Sequence, residues 1–316
     1  MTDSGSTLSL RVRAVTWEAP NILSYSLQSA DDGPLPSFTA GAHIGLKLPN
    51  GLLRRYSLLN SQSDHQSYGI AVQRDPAGRG GSRWIHEHVH AGDMVEVRPP
   101  ENKFVLDETA GRSIFIAGGI GITPILSMID RLSELGRRWE LYYCLRSRAL
   151  APFIDKLQGQ PNVACHFDDE VDGRFLDMDS IVQGASGAHL YCCGPTPMLT
   201  KFEALTAALP GNQVHTEYFA SNEIAATDGG FKIVLARSGE EYPVPPGKTI
   251  LQTLGEAGHE IPHSCLEGVC GTCETKVLEG TPDHRDMVLT DAERASGRTM
   301  MICCSGAKGD RLVLDL

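Results

Sequence analysis

Cys265, Cys270 and Cys273 stand together in the run C-L-E-G-V-C-G-T-C, and Cys303 follows after 29 further residues. Thiolates spaced C-x4-C-x2-C with one distant partner match the plant-type [2Fe–2S] arrangement, in which four sulfurs hold two irons. Gly268 and Gly271 offer the backbone freedom that a loop wrapped around such a group needs. Two other readings share these residues. One is a structural zinc site, although zinc more often takes two close pairs of ligands; the other is a set of buried thiols with no ligand. Cys304 competes with Cys303 for the last position, and spacing alone leaves both open.

A second chemistry lies upstream. Ala117-Gly118-Gly119-Ile120-Gly121-Ile122-Thr123-Pro124 joins an apolar strand pattern to a helical one, so backbone amides and a helix N-terminus could receive a pyrophosphate. It lacks the G-x-G-x-x-G fingerprint, and a ligand-free turn is the plainer alternative. Cys193-Gly194-Pro195 ends another apolar strand pattern, where Cys193 is either a buried thiol or part of a nicotinamide pocket. Nearer the start, Arg54-Arg55-Tyr56-Ser57 and Arg79-Gly80-Gly81-Ser82 supply guanidinium, hydroxyl and exposed backbone suited to a phosphate, with a tyrosine able to lie against a flat ring. His86-Glu87-His88-Val89-His90 fits H-E-x-x-H literally, but Ala91-Gly92-Asp93 breaks its helix and no third ligand is evident, so solvated histidines are expected.

These residues need elements to carry them. Short alternating runs up to about residue 102 predict an antiparallel barrel or sandwich, with prolines 99 and 100 interrupting a strand at the boundary. From 103 to 222, apolar strands alternate with helical stretches, as in a parallel α/β sheet. From 229 to 316, a hairpin, the helix KTILQTLGEAG, the cysteine run and the strand RLVLDL make a small α+β domain. Ser221 to Gly230 is polar and ends in glycines, marking the linker.

With 316 residues, the chain is long enough for two or three domains. A formal charge of −11 excludes a basic face for nucleic acid. The most apolar run, 114–129, is broken by glycines and is too short to span a bilayer. The opening MTDSGSTLSLRVRAV lacks the pattern of a secretory leader, and nine cysteines, an odd number, fit a reducing compartment. A cytoplasmic location is expected.

The ordered set R-R-Y-S-L, G-R-G-G-S, G-G-I-G-I-T-P, C-G-P and C-x4-C-x2-C…C resembles the phthalate dioxygenase reductase family over nearly the whole chain. The resemblance implies an FMN-binding antiparallel β-barrel (1–102), an NAD-binding α/β domain (103–222) and a β-grasp ferredoxin domain (229–316). Carried over, it implies that Arg54, Tyr56 and Ser57 contact FMN, with Arg54 and Arg79, Gly80, Gly81 and Ser82 near its phosphate. Ala71 and Val72 would offer backbone to the ring edge. Thr123, beside Pro124, would face the flavin, and Phe219 would cover it until nicotinamide arrives, unless that ring is ordinary core packing. Gly118, Gly119 and Gly121, with Cys193, Gly194 and Pro195 opposite, would admit the dinucleotide. Cys265, Cys270, Cys273 and Cys303 would hold the cluster.

Cys303-Cys304-Ser305-Gly306 departs from the family's C-V-S-R and lacks its arginine. Arg146-Ser147-Arg148 could hold a 2′-phosphate, whereas Asp168, Asp169 and Glu170 would repel one, which favours NADH. A hydride brings two electrons and a [2Fe–2S] cluster accepts one, so a flavin must stand between them. The expected function is an NADH-dependent reductase that passes electrons through FMN and the cluster to a separate Rieske-type oxygenase. A free-standing flavin or quinone reductase, and a non-enzymatic redox or zinc-binding module, are the rivals.

Overall fold

The computed structural model describes residues 7–49, 53–76, 78, 80–219, 225–263 and 265–316. Arg79 and residues 221–224 of the expected linker therefore lie outside the described residues. The chain divides into two compact units, the first ending at Glu217 and the second running from Tyr218 to Leu316.

In the first unit, β1 (Leu8–Ala19), β2 (Ile22–Ser29), β3 (His43–Lys47), β4 (Leu53–Ser57), β5 (Ser67–Gln73) and β6 (Met94–Glu101) form an antiparallel sheet ordered β4-β3-β6-β1-β2-β5. Helix α1 (Gly81–His88) interrupts the sequence between β5 and β6. Alternation sends Leu10, Val12, Tyr25, Leu27, Ile44 and Leu46 into one core. The outer strands curl toward each other: just beyond β4, the Leu59 N–H donates to the Gly69 carbonyl of β5 at 2.9 Å. This is the expected barrel. The prolines do not end a strand, however, because β6 continues through Pro99 and Pro100 to Glu101. Its register against β3 shifts between His43 and Gly45, and a residue without an N–H is tolerated where the ladder is already irregular.

The second sheet comprises β7 (Arg112–Gly118), β8 (Arg138–Leu145), β9 (Val163–Phe167), β10 (His189–Cys193) and β11 (Val214–Glu217), all parallel and ordered β11-β10-β7-β8-β9. Helices α2 (Ile122–Glu134), α3 (Ile154–Leu157), α4 (Met178–Gln183) and α5 (Thr196–Thr206) connect them. Ile114 to Ala117 of β7 are all buried, the continuous apolar run that a strand covered on both faces requires. The two sheets share a core, since Ala19, Ile22, Ala40 and Ala71 pack with Ile122, Ile125, Met128 and Ile129 of α2. Gly41 N–H donates to Ser127 Oγ across this contact at 3.1 Å.

The second unit contains β12 (Phe231–Leu235), β13 (Glu241–Val244), α5's successor α6 (Ile250–Glu256), β14 (Glu274–Glu279), β15 (Pro282–Asp283), α7 (Asp291–Ser296), β16 (Thr299–Met301), β17 (Gly306–Ala307) and β18 (Arg311–Leu314). Its main sheet is mixed and ordered β13-β12-β18-β14-β16, with β12 parallel to β18 and a separate β15-β17 pair. Thr249 starts α6 with a capping box: its Oγ1 accepts from Gln252 N–H at 3.2 Å while Gln252 Oε1 accepts from Thr249 N–H at 2.9 Å. Ile250, Leu251 and Leu254 are then buried with Ile233, Met300, Ile302 and Leu312. The result is the anticipated β-grasp arrangement.

Candidate functional site

The strand order places β8 and β9 on one side of β7 and β10 and β11 on the other. The chain therefore reverses direction between β7 and β10, and ligands of such sheets bind at the carboxyl ends beside that switch. Both glycine turns lie there. A Cβ on Gly121 would fall 2.2 Å from the Cys193 carbonyl oxygen, one on Gly118 would meet Pro195 Cδ at 2.5 Å, and one on Gly194 would meet Met198 Sδ at 2.8 Å. These three glycines are thus required by the contact between the turns themselves. Gly119 differs: its φ is +55° and a Cβ there would meet nothing within 4 Å. Its carbonyl accepts from the Tyr143 hydroxyl at 3.2 Å, and the open space on its Cβ side is room that would fit a dinucleotide. Thr123 is buried, with its hydroxyl donating to the Ile120 carbonyl at 3.0 Å, and Pro124 is buried beside it. Burial pushes the Cys193 thiol far above its ordinary range, so it remains an S–H.

In the barrel, a Cβ on Gly81 would come 2.7 Å from Arg54 Nε. The Arg54 side chain thus lies directly against the first residue of α1, whose N-cap, Gly80, has φ 85° and offers no side-chain cap. A guanidinium beside uncapped helix amides fits a phosphate. Ser82 Oγ accepts from Asp75 N–H at 3.0 Å. Tyr56 and Ser57 follow Arg54 on β4, and burial raises the Tyr56 hydroxyl pKa. Ala71 and Val72 are buried on β5. Gly69 turns its carbonyl to Leu59 and its N–H to Asn60 Oδ1, at 2.9 and 2.8 Å, so by the two-residue period of a strand the Ala71 peptide faces the same way, off the paired edge. The Val72 carbonyl contacts His86 Nε2 at 2.8 Å.

That contact also disposes of the H-E-x-x-H match. Glu87 pairs with Arg74 at 2.9 Å, His88 stacks on Trp84, and α1 ends before His90. The motif's side chains have separate partners.

Glu217 was not singled out by its sequence context. It ends β11 in register with Cys193, and burial pushes its carboxyl from 4.5 up to about 7, against the opposing influence of Arg55. An acidic residue closing the short strand VHTE two positions before Phe219 was the available signal. Because the folded-state value is raised, this group's stabilising contribution is full below about 4.5 and is lost as pH rises through about 7. Glu217→Gln should flatten that decline, a change on the order of 3 kcal/mol. Urea denaturation of both proteins across that range measures it, and parallel stability curves would refute the assignment. Phe219 is 41 % exposed, which removes core packing as its explanation.

At the ends of β8 and β9, Arg148 is already engaged. Its Nε and Nη2 donate to the two Glu170 carboxylate oxygens at 3.0 and 3.1 Å, and its guanidinium lies 4.3 Å from the Phe167 ring centre.

In the second unit, Cys265, Cys270, Cys273, Cys303 and Cys304 are all buried. The Cys265 side chain lies within interaction range of the Cys270 and Cys303 side chains. Cys304 lies within such range of Cys303 instead, and its Sγ also points to the Met301 carbonyl at 3.6 Å. The loop turns through positive φ at Leu266 (59°), Gly268 (71°) and Gly271 (74°), and Glu267 N–H reaches back to Cys265 Sγ at 3.3 Å. Among the described residues no group of three ligating side chains surrounds a single ion. A two-iron cluster takes its thiolates in pairs on separate metals, and the buried thiols of one loop and one turn supply such a set. The thiols fit the cluster.

Residues 233–308 match the family model of the 2Fe-2S iron-sulfur cluster binding domain. The chain is 51 % identical to phenoxybenzoate dioxygenase subunit beta of Ectopseudomonas oleovorans, over 98 % of this chain and 97 % of that one. It is 48 % identical to tetrachlorobenzoquinone reductase of Sphingobium chlorophenolicum, over the full length of both. Among solved structures it superposes on phthalate dioxygenase reductase, described as a modular structure for electron transfer from pyridine nucleotides to [2Fe-2S], with a TM-score of 0.78, 38 % identity and 98 % coverage of each chain. The chain belongs to the phthalate dioxygenase reductase family. As a member of that family it is an oxidoreductase, with a sheet-rich flavin module, a parallel-sheet NAD module and a C-terminal ferredoxin module. The non-enzymatic reading is set aside. No helix among the described residues is long and apolar enough to cross a membrane.

Proposed function

We propose that this chain is the NADH-dependent reductase of a Rieske-type oxygenase system, passing electrons through FMN and a [2Fe–2S] cluster to the terminal oxygenase. The observation that carries the reading is the pairing, on one chain, of a phosphate cradle and glycine switch point in the first unit with linked buried thiols in the second. When bound, the flavin supplies the conversion between a two-electron hydride and single electrons. The protein's own work is positioning. Arg54, with Gly80, Gly81, Ser82 and Arg79, would hold the FMN phosphate. Tyr56, Ser57, Ala71, Val72 and Thr123 would orient its ring, and Phe219 would exclude water from the exposed face. Gly118, Gly119, Gly121, Pro124, Cys193, Gly194 and Pro195 would line the dinucleotide path. Cys265, Cys270, Cys273 and Cys303 would ligate iron. Residues 1–102, 103–222 and 229–316 would be the three functional domains.

NADH is favoured because Glu170 occupies the Arg148 fork that a 2′-phosphate would need. The cytoplasm is the favoured location, since all nine cysteines are free thiols. Similarity to the tetrachlorobenzoquinone reductase favours one rival, a reductase whose acceptor is a small quinone.

The test is an anaerobic absorption titration with NADH and, separately, NADPH, followed by low-temperature EPR. Flavin bands near ~450 nm and a cluster envelope bleaching together with NADH, far ahead of NADPH, are expected. A protein that stays colourless after reconstitution with iron, sulfide and FMN refutes the reading. Quinone turnover undiminished in Cys265→Ser would favour the quinone reductase.

A further inference from the structure

Asp283–Leu289 meets both parts of the cysteine set. The β15-β17 pairing sets Asp283 opposite Gly306, just past Cys303-Cys304-Ser305. Arg285 N–H donates to Ser305 Oγ at 3.1 Å, and Met287 N–H donates to the Gly268 carbonyl, inside the Cys265–Cys273 loop, at 2.8 Å.

Asp286 lies between these two ties and is 0 % exposed. Its Oδ2 accepts from Val288 and Leu289 N–H at 3.1 and 2.8 Å, and its carbonyl accepts from the Arg294 guanidinium. Its other carboxylate oxygen has no hydrogen bond among the described residues; neither has the His284 ring, whose Nδ1 is 3.6 Å away. A Cβ on Gly268 would sit 3.0 Å from Asp286 Cα and 2.5 Å from Cys304 Sγ, so the loop, the turn and Asp286 touch at one place. Burying a carboxylate with half of its acceptor capacity unused is costly. An alanine or leucine would fill such a core position without that penalty, so packing does not account for the residue.

We infer that Asp286 is a positioning residue for the iron–sulfur centre: it holds the three-cysteine loop and the Cys303 turn in register, and its negative charge lowers the centre's reduction potential. The inference rests on the cluster assignment above. Negative charge close to a cluster opposes the arrival of an electron, and local charge is one of the levers that set such potentials.

The experiment is an EPR-monitored redox titration of the full-length holoprotein and its Asp286→Asn variant. Asn keeps the volume and an oxygen for Val288 and Leu289 but removes the charge. A shift of the cluster midpoint to more positive potential, with the flavin midpoint unmoved, is expected. An unchanged cluster midpoint overturns the inference, because a packing role alone would leave the potential where it is. Should Asp286→Asn purify without a cluster, Ser305→Ala decides. It removes the acceptor for Arg285 and the Ser305 Oγ contact to Cys304 Sγ while leaving the Asp286 charge in place, and cluster bleaching by a chelator should run several-fold faster than in the wild type; equal rates overturn the inference. A wild-type protein with no cluster signal would refute the proposed function instead, before any variant is compared.

Discussion

Replacing Cys303 by serine is expected to abolish cluster assembly, whereas Cys304→Ser leaves the cluster in place. The two thiols are adjacent in sequence and both buried, so composition does not separate them. Their partners do. Cys265 reaches Cys270 on one side and Cys303 on the other, which makes Cys303 continuous with the three-cysteine run. Cys304 interacts with Cys303 and not with Cys265 in the same way, and although its Sγ lies close to Gly268 it is directed to the Met301 carbonyl and Ser305. Iron in such centres is held by thiolates, and a serine hydroxyl is a harder and far less acidic ligand. Iron per chain should fall close to zero in Cys303→Ser while flavin content stays at the wild-type level. Iron and acid-labile sulfide assays on both variants read this directly, and the opposite pattern would make Cys304 the fourth ligand.

Arg54→Ala should weaken FMN retention about 10- to 100-fold, the scale of a lost charge-assisted contact of ~1.5–3 kcal/mol. The side chain is held against Gly81 at the start of α1, whose N-cap Gly80 offers no side-chain cap, so its charge adds to the positive end of the helix at the same point. Truncation removes one of these contributions and leaves the other, which is why a large loss rather than complete loss is expected. The second unit has a core of its own, and the cluster spectrum should not change. Flavin-to-iron ratios after gel filtration measure the effect; equal ratios in the two proteins would remove Arg54 from the phosphate site.

Much of this was legible in the residues because strand alternation, parallel-sheet runs and cysteine spacing are local signals. HIGLKLP, RRYSLLN and YGIAVQR became β3, β4 and β5, and SIFIAGG became β7, each carrying its pattern within a few residues. Prolines 99 and 100 misled because the register against β3 shifts at that very point, between the His43–Glu101 and Gly45–Arg98 pairs, and no local pattern reports such a shift. Glu217 and Asp286 were missed for a related reason. Each is an acid in a polar-looking stretch, and only the packing of distant segments shows that Asp286 is buried and Glu217 partly so. Arg148 was visible as a candidate phosphate ligand, but its capture by Glu170 depends on two neighbouring strand ends lying side by side. The glycines of 118–121 illustrate a mixture: sequence marked them as space for a ligand, while at Gly118 and Gly121 the fold spends that space on the neighbouring turn.

That last feature has a mechanical side. With Gly121 seated against the Cys193 carbonyl and Gly118 against Pro195, neither turn can advance toward the other, and adding even one methyl group would force them apart. With the dinucleotide seated over these turns as proposed, the bed beneath it would behave as an incompressible spacer, fixed before any substrate arrives. Hydride transfer is sensitive to errors of an ångström in approach. On that placement the donor's depth would be gauged by the thickness of the two turns, leaving adjustment to the residues on its other face.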